Sequence, residues 1–233
     1  MIESPNNEKI INYSKLKQKK YRDESSLFIV EGKHLVEEAK KNNLCVEEFI
    51  LGENINEKAM RKLSNLDNVP THLAVCKKME EKEIHGNVLI LDGVQDPGNL
   101  GTIIRSSVAF NIDTIILSLN TVDPYNDKVI RASEGMLFNI NIIKGNLLEI
   151  IPKLNMDIYS TNVVNGKNLD EVEFKEPFAL IVGNEGKGVS PEVQKLVNNN
   201  IYITMNNKCE SLNVGVATSI ILYEAERKIM HDK

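Results

Sequence analysis

Three short runs of polar and glycine residues stand where this chain could do chemistry. One is Ile203-Thr204-Met205, which leads through an Asn-rich turn into Ser211-Leu212-Asn213-Val214. Asn207, Ser211 and Asn213 lie between an apolar strand pattern and the helical pattern of Val214, Val216, Ala217 and Ile220. Burying such groups unpaired costs about 1–3 kcal/mol each, so the run reads as a ligand-holding loop. Asn207 can take a left-handed backbone, and Ser211 or Asn213 can cap the final helix. The second run is Asp92 to Arg105, with Pro97-Gly98 as a tight turn and Asn99 as helix N-cap. Arg105 would lie about a turn and a half inside that helix. A helix N-terminus with a guanidinium nearby favours an anionic ligand such as phosphate. The third run is Gly183-Asn184-Glu185-Gly186-Lys187-Gly188-Val189-Ser190-Pro191. Its glycines permit unusual backbone angles and close approach of a ligand, and Glu185 can accept a hydrogen bond from a ribose. It is not a P-loop, because Val189 stands where Lys is required. Each run alone also fits an ordinary solvent-facing turn; their order and contents together carry the reading.

The elements that must hold these runs follow from hydrophobic periodicity. Residues 7–20 read as a helix through Ile10, Ile11, Tyr13 and Leu16. Strands follow at Leu27–Val30, Val46–Leu51 and His72–Cys76, separated by helices through Leu35–Ala39 and Asn56–Leu66. This is an αβαβαβ unit of residues 1–85, closed by the charged run Lys77 to Glu83, with the boundary at His85-Gly86-Asn87. Residues 86–233 open on Val88-Leu89-Ile90-Leu91, a continuous apolar run of the kind buried on both sheet faces. Further strands are expected at Thr114–Leu117, Asn139–Ile143, Ile158–Thr161, Phe178–Val182 and Ile201–Ile203. Helices are expected at Leu100–Phe110, Lys128–Arg131, Leu147–Leu154, Pro191–Val197 and Leu212–Ile229. The alternation implies an α/β domain with a mostly parallel sheet, and ligands of such sheets gather at the carboxyl ends of the strands. All three runs follow strands.

Composition narrows the function classes. A hydrophobic content of 42% supports a sizeable core and argues against global disorder. No apolar run reaches a membrane span, and the N-terminus does not read as a signal peptide, so a cytoplasmic protein is expected. Cys45, Cys76 and Cys209, like the four histidines, show no metal-ligand spacing, and no metal is expected. The net charge of −5 argues against a simple nucleic-acid coat. Residues 1–85 are nevertheless balanced, with 15 Lys and Arg against 15 Asp and Glu, and contain a basic block of Lys15, Lys17, Lys19, Lys20 and Arg22. Such a block can contact phosphates, and it can equally be a solvated helix face.

Together the three runs resemble the signature motifs of the SpoU-type (TrmH-like) ribose 2′-O-methyltransferases of the SPOUT superfamily. The first motif is matched by Asn99, Gly101 and Arg105, the second by Gly183, Glu185 and Gly188, and the third by Ser211 to Val214. Arg131-Ala132-Ser133 with Gly135 is also similar to the family. Lys19-Lys20-Tyr21-Arg22 and Phe28-Ile29-Val30-Glu31-Gly32 resemble the opening of the ribosomal-protein-like (L30e-like) domain that precedes the catalytic domain in many members.

The resemblance implies a C-terminal parallel-sheet domain with a deep trefoil knot, an exception to the rule that chains avoid threading. It implies S-adenosylmethionine as cofactor, a homodimer with active sites near the subunit interface, and RNA, tilted toward ribosomal RNA, as substrate. Asn99, Arg105, Glu185, Ser211 and Asn213 match catalytic or substrate-positioning residues. Gly183, Ile203, Met205, Asn207 and Leu212 match the cofactor loops, and Lys19, Lys20, Arg22 and Arg131 are candidate RNA contacts. The chain departs from the pattern at Thr204 (usually Pro), Asn207 (usually Gly), Gly215 (often Ser) and Glu134 (usually small). Transfer RNA as substrate, and a non-catalytic RNA-binding protein of the same fold, are the alternatives.

Overall fold

The computed structural model describes residues 1–231, which form two compact units. The first comprises Met1–Glu80 together with Asp123–Asn139. It begins with α1 (Glu8–Ser14), capped by Asn7, whose side chain accepts from Lys9 N. A 3-10 turn (Lys15–Lys17) follows, and then α2 (Lys19–Ser25). The single helix expected over 7–20 is therefore broken at Gln18, which is extended. The physical reason is Arg22: its Nη1 donates to Leu16 O at 2.9 Å and Lys17 O at 3.0 Å, satisfying carbonyls that the break leaves open. Next come β1 (Leu27–Glu31), α3 (Lys33–Lys41), β2 (Cys45–Ile50), α4 (Glu57–Leu63) and β3 (His72–Lys77). The sheet is antiparallel in the order β1-β3-β2. Ile10, Phe49, Met60, Leu63, Leu73 and Val75 fill its core.

The second unit comprises Glu81–Val122 and the chain from Ile140 onward. Its elements begin with β4 (Val88–Asp92), α5 (Pro97–Ala109) and β5 (Thr114–Ser118). The chain then contributes Asp123–Asn139, with α6 (Asp127–Ala132), to the first unit. There Phe28 packs on Tyr125 and Phe138, with ring centroids 4.9 and 6.1 Å away. Arg22 reaches Asp123 at 2.5 Å, both side chains almost wholly buried. The compact units thus exchange Asp123–Asn139 relative to a continuous division at 85/86, since the apolar partners of residues 123–139 are distant in sequence.

The second unit continues with β6 (Asn141–Gly145), α7 (Leu147–Ile150), β7 (Asp157–Thr161), β8 (Gly166–Asn168), β9 (Phe178–Gly183), α8 (Pro191–Gln194), β10 (Asn199–Tyr202) and α9 (Val214–His231). All seven strands are parallel, in the order β6-β5-β4-β9-β7-β10-β8. Strands β4, β5 and β9 are buried along their whole length, as continuous apolar runs in a two-sided sheet must be. Strand β8 has no counterpart in the periodicity, since Gly166-Lys167-Asn168 is a short polar edge. Helices α7 and α8 end earlier than expected; Ile151–Lys153, which contains Pro152, tightens into a 3-10 turn after α7.

From β10, near one edge of the sheet, the chain returns to α5 beside the sheet centre. Helix α9 lies along α5, with Ser106 Oγ 2.7 Å from Ser219 Oγ and Phe110 edge-on to Tyr223. This crossing back over the sheet distinguishes the path from simple sequential winding, and it brings the third run beside the first. No helix among the described residues is long and apolar enough to cross a membrane.

Candidate functional site

Three segments meet at the carboxyl ends of β4 and β9. Helix α5 starts with Asp96 as N-cap, its side chain accepting from Asn99 N at 2.8 Å, and with Pro97 in the first turn. Asn99, expected as the cap, instead sits at the third helical position; an Asp before a Pro is the stronger start signal. That shift frees its amide side chain for the site. Asn99 Nδ2 donates to Glu185 Oε1 at 3.0 Å, and Asn99 Oδ1 accepts from Asn213 Nδ2 at 2.8 Å. One residue from each run is thus joined in a single hydrogen-bonded row.

Glu185 is held from several sides. Its carboxylate accepts from Gln95 N, from Asp96 N at 3.1 Å, and from Asn184 Nδ2. Burial pushes its pKa up, but the hydrogen bonds from Asn99 and from the backbone amides of Glu185, Asp96 and Gln95 outweigh it, and the net shift is downward. The loop that carries it closes on itself, with Asn184 and Gly188 exchanging two backbone bonds of 2.9 Å. Gly183 is required by that closure: a Cβ there would lie 2.0 Å from Gly188 C and 2.1 Å from Val189 N. The close approach is made by the protein's own backbone.

Asn213 is the N-cap of α9, its Oδ1 accepting from Gly215 N at 2.9 Å and Val216 N at 3.2 Å. Ser211 is exposed and does not cap, although its carbonyl accepts from Cys209 Sγ. Asn207 lies in an exposed turn without the positive φ expected of it. Ile203, Met205 and Leu212 are half-buried along the same stretch. Between Thr204 and Ser211 the bonds among the described residues are Lys208 N to Asn206 Oδ1, Cys209 N to Asn206 O, and the Cys209 contact above.

Arg105 is exposed and has no hydrogen bond or ion pair among the described residues. It lies about 9 Å along the α5 axis from Asn99 and about 120° around it. Arg105 and Ser211 are thus near the row in sequence but outside its bonding.

The RNA-contact candidates separate. Lys19 and Lys20 are exposed, paired with Asp23 and Glu24. Hydrogen bonds from Lys19 and Lys78 hold the Asp23 carboxyl down at about 2. Arg22 is 5% exposed and fully engaged by Asp123, Leu16 and Lys17, so it supports the fold and leaves the RNA-contact set. Arg131 is half-buried, its Nη1 2.9 Å from Asp127 Oδ2 at an angle that makes no hydrogen bond.

Two further residues shape the loops around the site without joining the row. Asn184 organises the glycine loop, its Nδ2 donating to Gly93 O and its Oδ1 accepting from Gly186 N and Lys187 N. Asp92 accepts from Ser190 N at 2.8 Å. Asn184 offered a signal, an Asx residue inside a glycine-rich turn; Asp92 offered none beyond ending an apolar strand.

Comparisons with known proteins show what the chain is similar to. Residues 86–223 match the SpoU rRNA Methylase family, and residues 7–85 match the MRM3-like substrate binding domain. The 23S rRNA (guanosine(2553)-2′-O)-methyltransferase of Bacillus subtilis strain 168 is 36% identical, over 95% of this chain and 97% of that protein. The structure of an AdoMet-bound rRNA methyltransferase from Sinorhizobium meliloti superposes with a TM-score of 0.87 at 27% identity, covering 97% of each chain. An RNA 2′-O ribose methyltransferase superposes with a TM-score of 0.82 at 25% identity, over 98% and 99% of the two chains.

Proposed function

The chain belongs to the SpoU rRNA methylase family, and from that premise we propose that it methylates a ribose 2′-hydroxyl of ribosomal RNA beside the row Asn99–Glu185–Asn213. It is an RNA (ribose-2′-O)-methyltransferase that uses S-adenosylmethionine. The observation that carries the assignment of the centre is the pair of bonds through Asn99, which tie all three motif segments to one point.

S-adenosylmethionine supplies a methyl group made electrophilic by its sulfonium. The residues present fit it: most backbone amides and carbonyls between Thr204 and Ser211 have no partner among the described residues, and such groups can read an adenosine. Ile203, Met205, Asn207 and Leu212 would hold it along this stretch, with Gly183 of the glycine loop as a further contact. Asn99 orients the ribose, its amide being fixed on one side by Glu185 and on the other by Asn213. Glu185, already engaged by Gln95, Asp96, Asn99 and Asn184, acts by bracing Asn99. The guanidinium of Arg105 positions an RNA phosphate and the 2′-hydroxyl, whose proton passes to bulk water. Ser211 stands at the same loop as a further hydroxyl partner.

The exposed face of α9 supports a homodimer. Val216, Ile220 and Tyr223 recur at helical spacing and are 48, 38 and 54% exposed, an apolar stripe alongside α5 and its Arg105. We read residues 1–85 as the domain that holds RNA, with Lys19 and Lys20 as its contacts, and residues 86–233 as the catalytic domain, with Arg131 as a further RNA contact. We read the enzyme as cytoplasmic, alongside its proposed ribosomal RNA substrate.

The test is calorimetric titration with S-adenosylmethionine, followed by methyl transfer to an unmodified ribosomal RNA transcript. Binding plus formation of a 2′-O-methylnucleoside supports the reading. Methyl incorporated only into a base, or binding without transfer to any RNA offered, overturns it.

A further inference from the structure

Beyond the Asn99 row, two adjoining hollows of about 430 and 240 Å³ open at the carboxyl ends of β4, β5 and β6. Asp92, Asn120 and Ser190 line both. Asp92 is only 8% exposed. Its Oδ2 takes Ser190 N, while its Oδ1 meets no donor among the described residues and is not sealed from the hollows. A carboxylate held this deep calls for an N–H or O–H partner, and the hollows are where one can arrive.

The surroundings say what kind of ligand brings it. Lys187 is the one cation on the lining, opposed by Asp92 and Glu192, so a phosphate would meet more negative than positive charge. The rims are apolar instead: Leu119 is 69% and Leu148 45% exposed. A planar neutral group with edge donors fits this combination. The hollows also adjoin the reaction centre through shared residues. Gln95 gives its backbone N–H to Glu185 and its side-chain amide to Asn120 O, and Asn184 bonds Glu185 while lining the larger hollow.

We propose that these hollows receive a nucleobase of the substrate RNA, at or beside the methylated nucleotide, with Asp92 Oδ1 accepting an N–H of its edge. Proteins read single-stranded RNA by bases turned out of the stack, and carboxylates accept from base N–H donors. This inference rests on the methyltransferase reading above, and it makes Asp92 a specificity residue separate from the row that faces the ribose.

The test uses the full chain with Asp92→Asn, which keeps an acceptor for Ser190 N and turns the free oxygen into an NH₂ donor. Steady-state methyl transfer to a ribosomal RNA transcript should show KM for RNA raised roughly ten-fold, kcat within about two-fold, and an unchanged Kd for S-adenosylmethionine. Leu119→Ser, at an exposed position where folding is not at stake, should raise KM in the same sense. Inhibition by the trinucleotides UpGpU, UpCpU, UpApU and UpUpU should differ at least about five-fold across the set for the wild type and level out for Asp92→Asn. Unchanged KM in both variants, or equal inhibition by all four trinucleotides with wild type, overturns the inference while leaving methyl transfer intact. A rise in the cofactor Kd with KM unchanged also overturns it, by giving the hollows to the cofactor. Failure of the wild type to methylate RNA would instead remove the reading on which the inference rests.

Discussion

Gly183→Ala is the most exposing single change. The new Cβ would lie 2.0 Å from Gly188 C, 2.1 Å from Val189 N and 2.3 Å from Gly188 O, all backbone. Ordinary contact begins at 3.4 Å, so the facing backbone must withdraw by about 1.4 Å. That motion breaks the two Asn184–Gly188 bonds, a loss of about 1–3 kcal/mol at the usual net value of each. For a chain of this size the unfolding midpoint should fall by about 2–12 °C. The same motion draws Glu185 from Gln95, Asp96 and Asn99 and lets the Asn99 amide turn. A misplacement of about 1 Å costs on the order of 100-fold in turnover, so kcat should fall by at least that factor. Gly186→Ala is the matched control, because its Cβ meets nothing nearer than Asn184 Oδ1 at 3.8 Å. Scanning calorimetry and methyl transfer on the two variants form the assay. A Gly183→Ala protein with wild-type midpoint and turnover, or a Gly186→Ala protein equally damaged, would refute the reasoning.

Arg105→Ala should abolish methyl transfer while leaving the unfolding midpoint and cofactor affinity near wild type, since the side chain is exposed and without partners among the described residues; near-normal turnover would remove Arg105 from the mechanism. Asp123→Ala should destabilise by about 3–5 kcal/mol in chemical denaturation, because it leaves Arg22 buried and without its counter-charge. Asp23 has a folded pKa of about 2 against an ordinary 3.8, so its contribution is fully present above pH 3.8 and is lost as pH falls toward 2. Stability curves of wild type and Asp23→Asn should therefore converge below about pH 2 and separate above pH 4, and parallel curves throughout would contradict this. The depressed pKa of Glu185 has the same sign: Glu185→Gln should lose relative stability above the ordinary carboxyl range and regain parity at acid pH.

Much of the second unit was legible because its strands are continuous apolar runs, which periodicity finds easily. Val88-Leu89-Ile90-Leu91 and Phe178–Val182 are examples. The short polar edge β8 was not, since Gly166-Lys167-Asn168 carries no alternation. The helix break at Gln18 was hidden because its cause, Arg22 turning back on Leu16 and Lys17, is a tertiary choice. The same arginine looked like a nucleic-acid contact until its distant partner Asp123 was placed. At the site, the motif spacing named Asn99, Glu185 and Asn213, but not that Asp96 is the cap and Asn99 therefore free to bridge. Pairing between loops separated by 86 and 114 residues follows from the crossing path of α9, which no local pattern encodes.

The central question is whether the point where Asn99, Glu185 and Asn213 meet is where a ribose is methylated. Mapping 2′-O-methyl groups across ribosomal RNA from cells lacking this protein, resupplied with wild type or with Asn99→Ala, reads that most directly. We expect one modified position restored by the wild-type chain and left bare by the variant. Restoration by Asn99→Ala to the wild-type extent, or no position that depends on the protein at all, would contradict it.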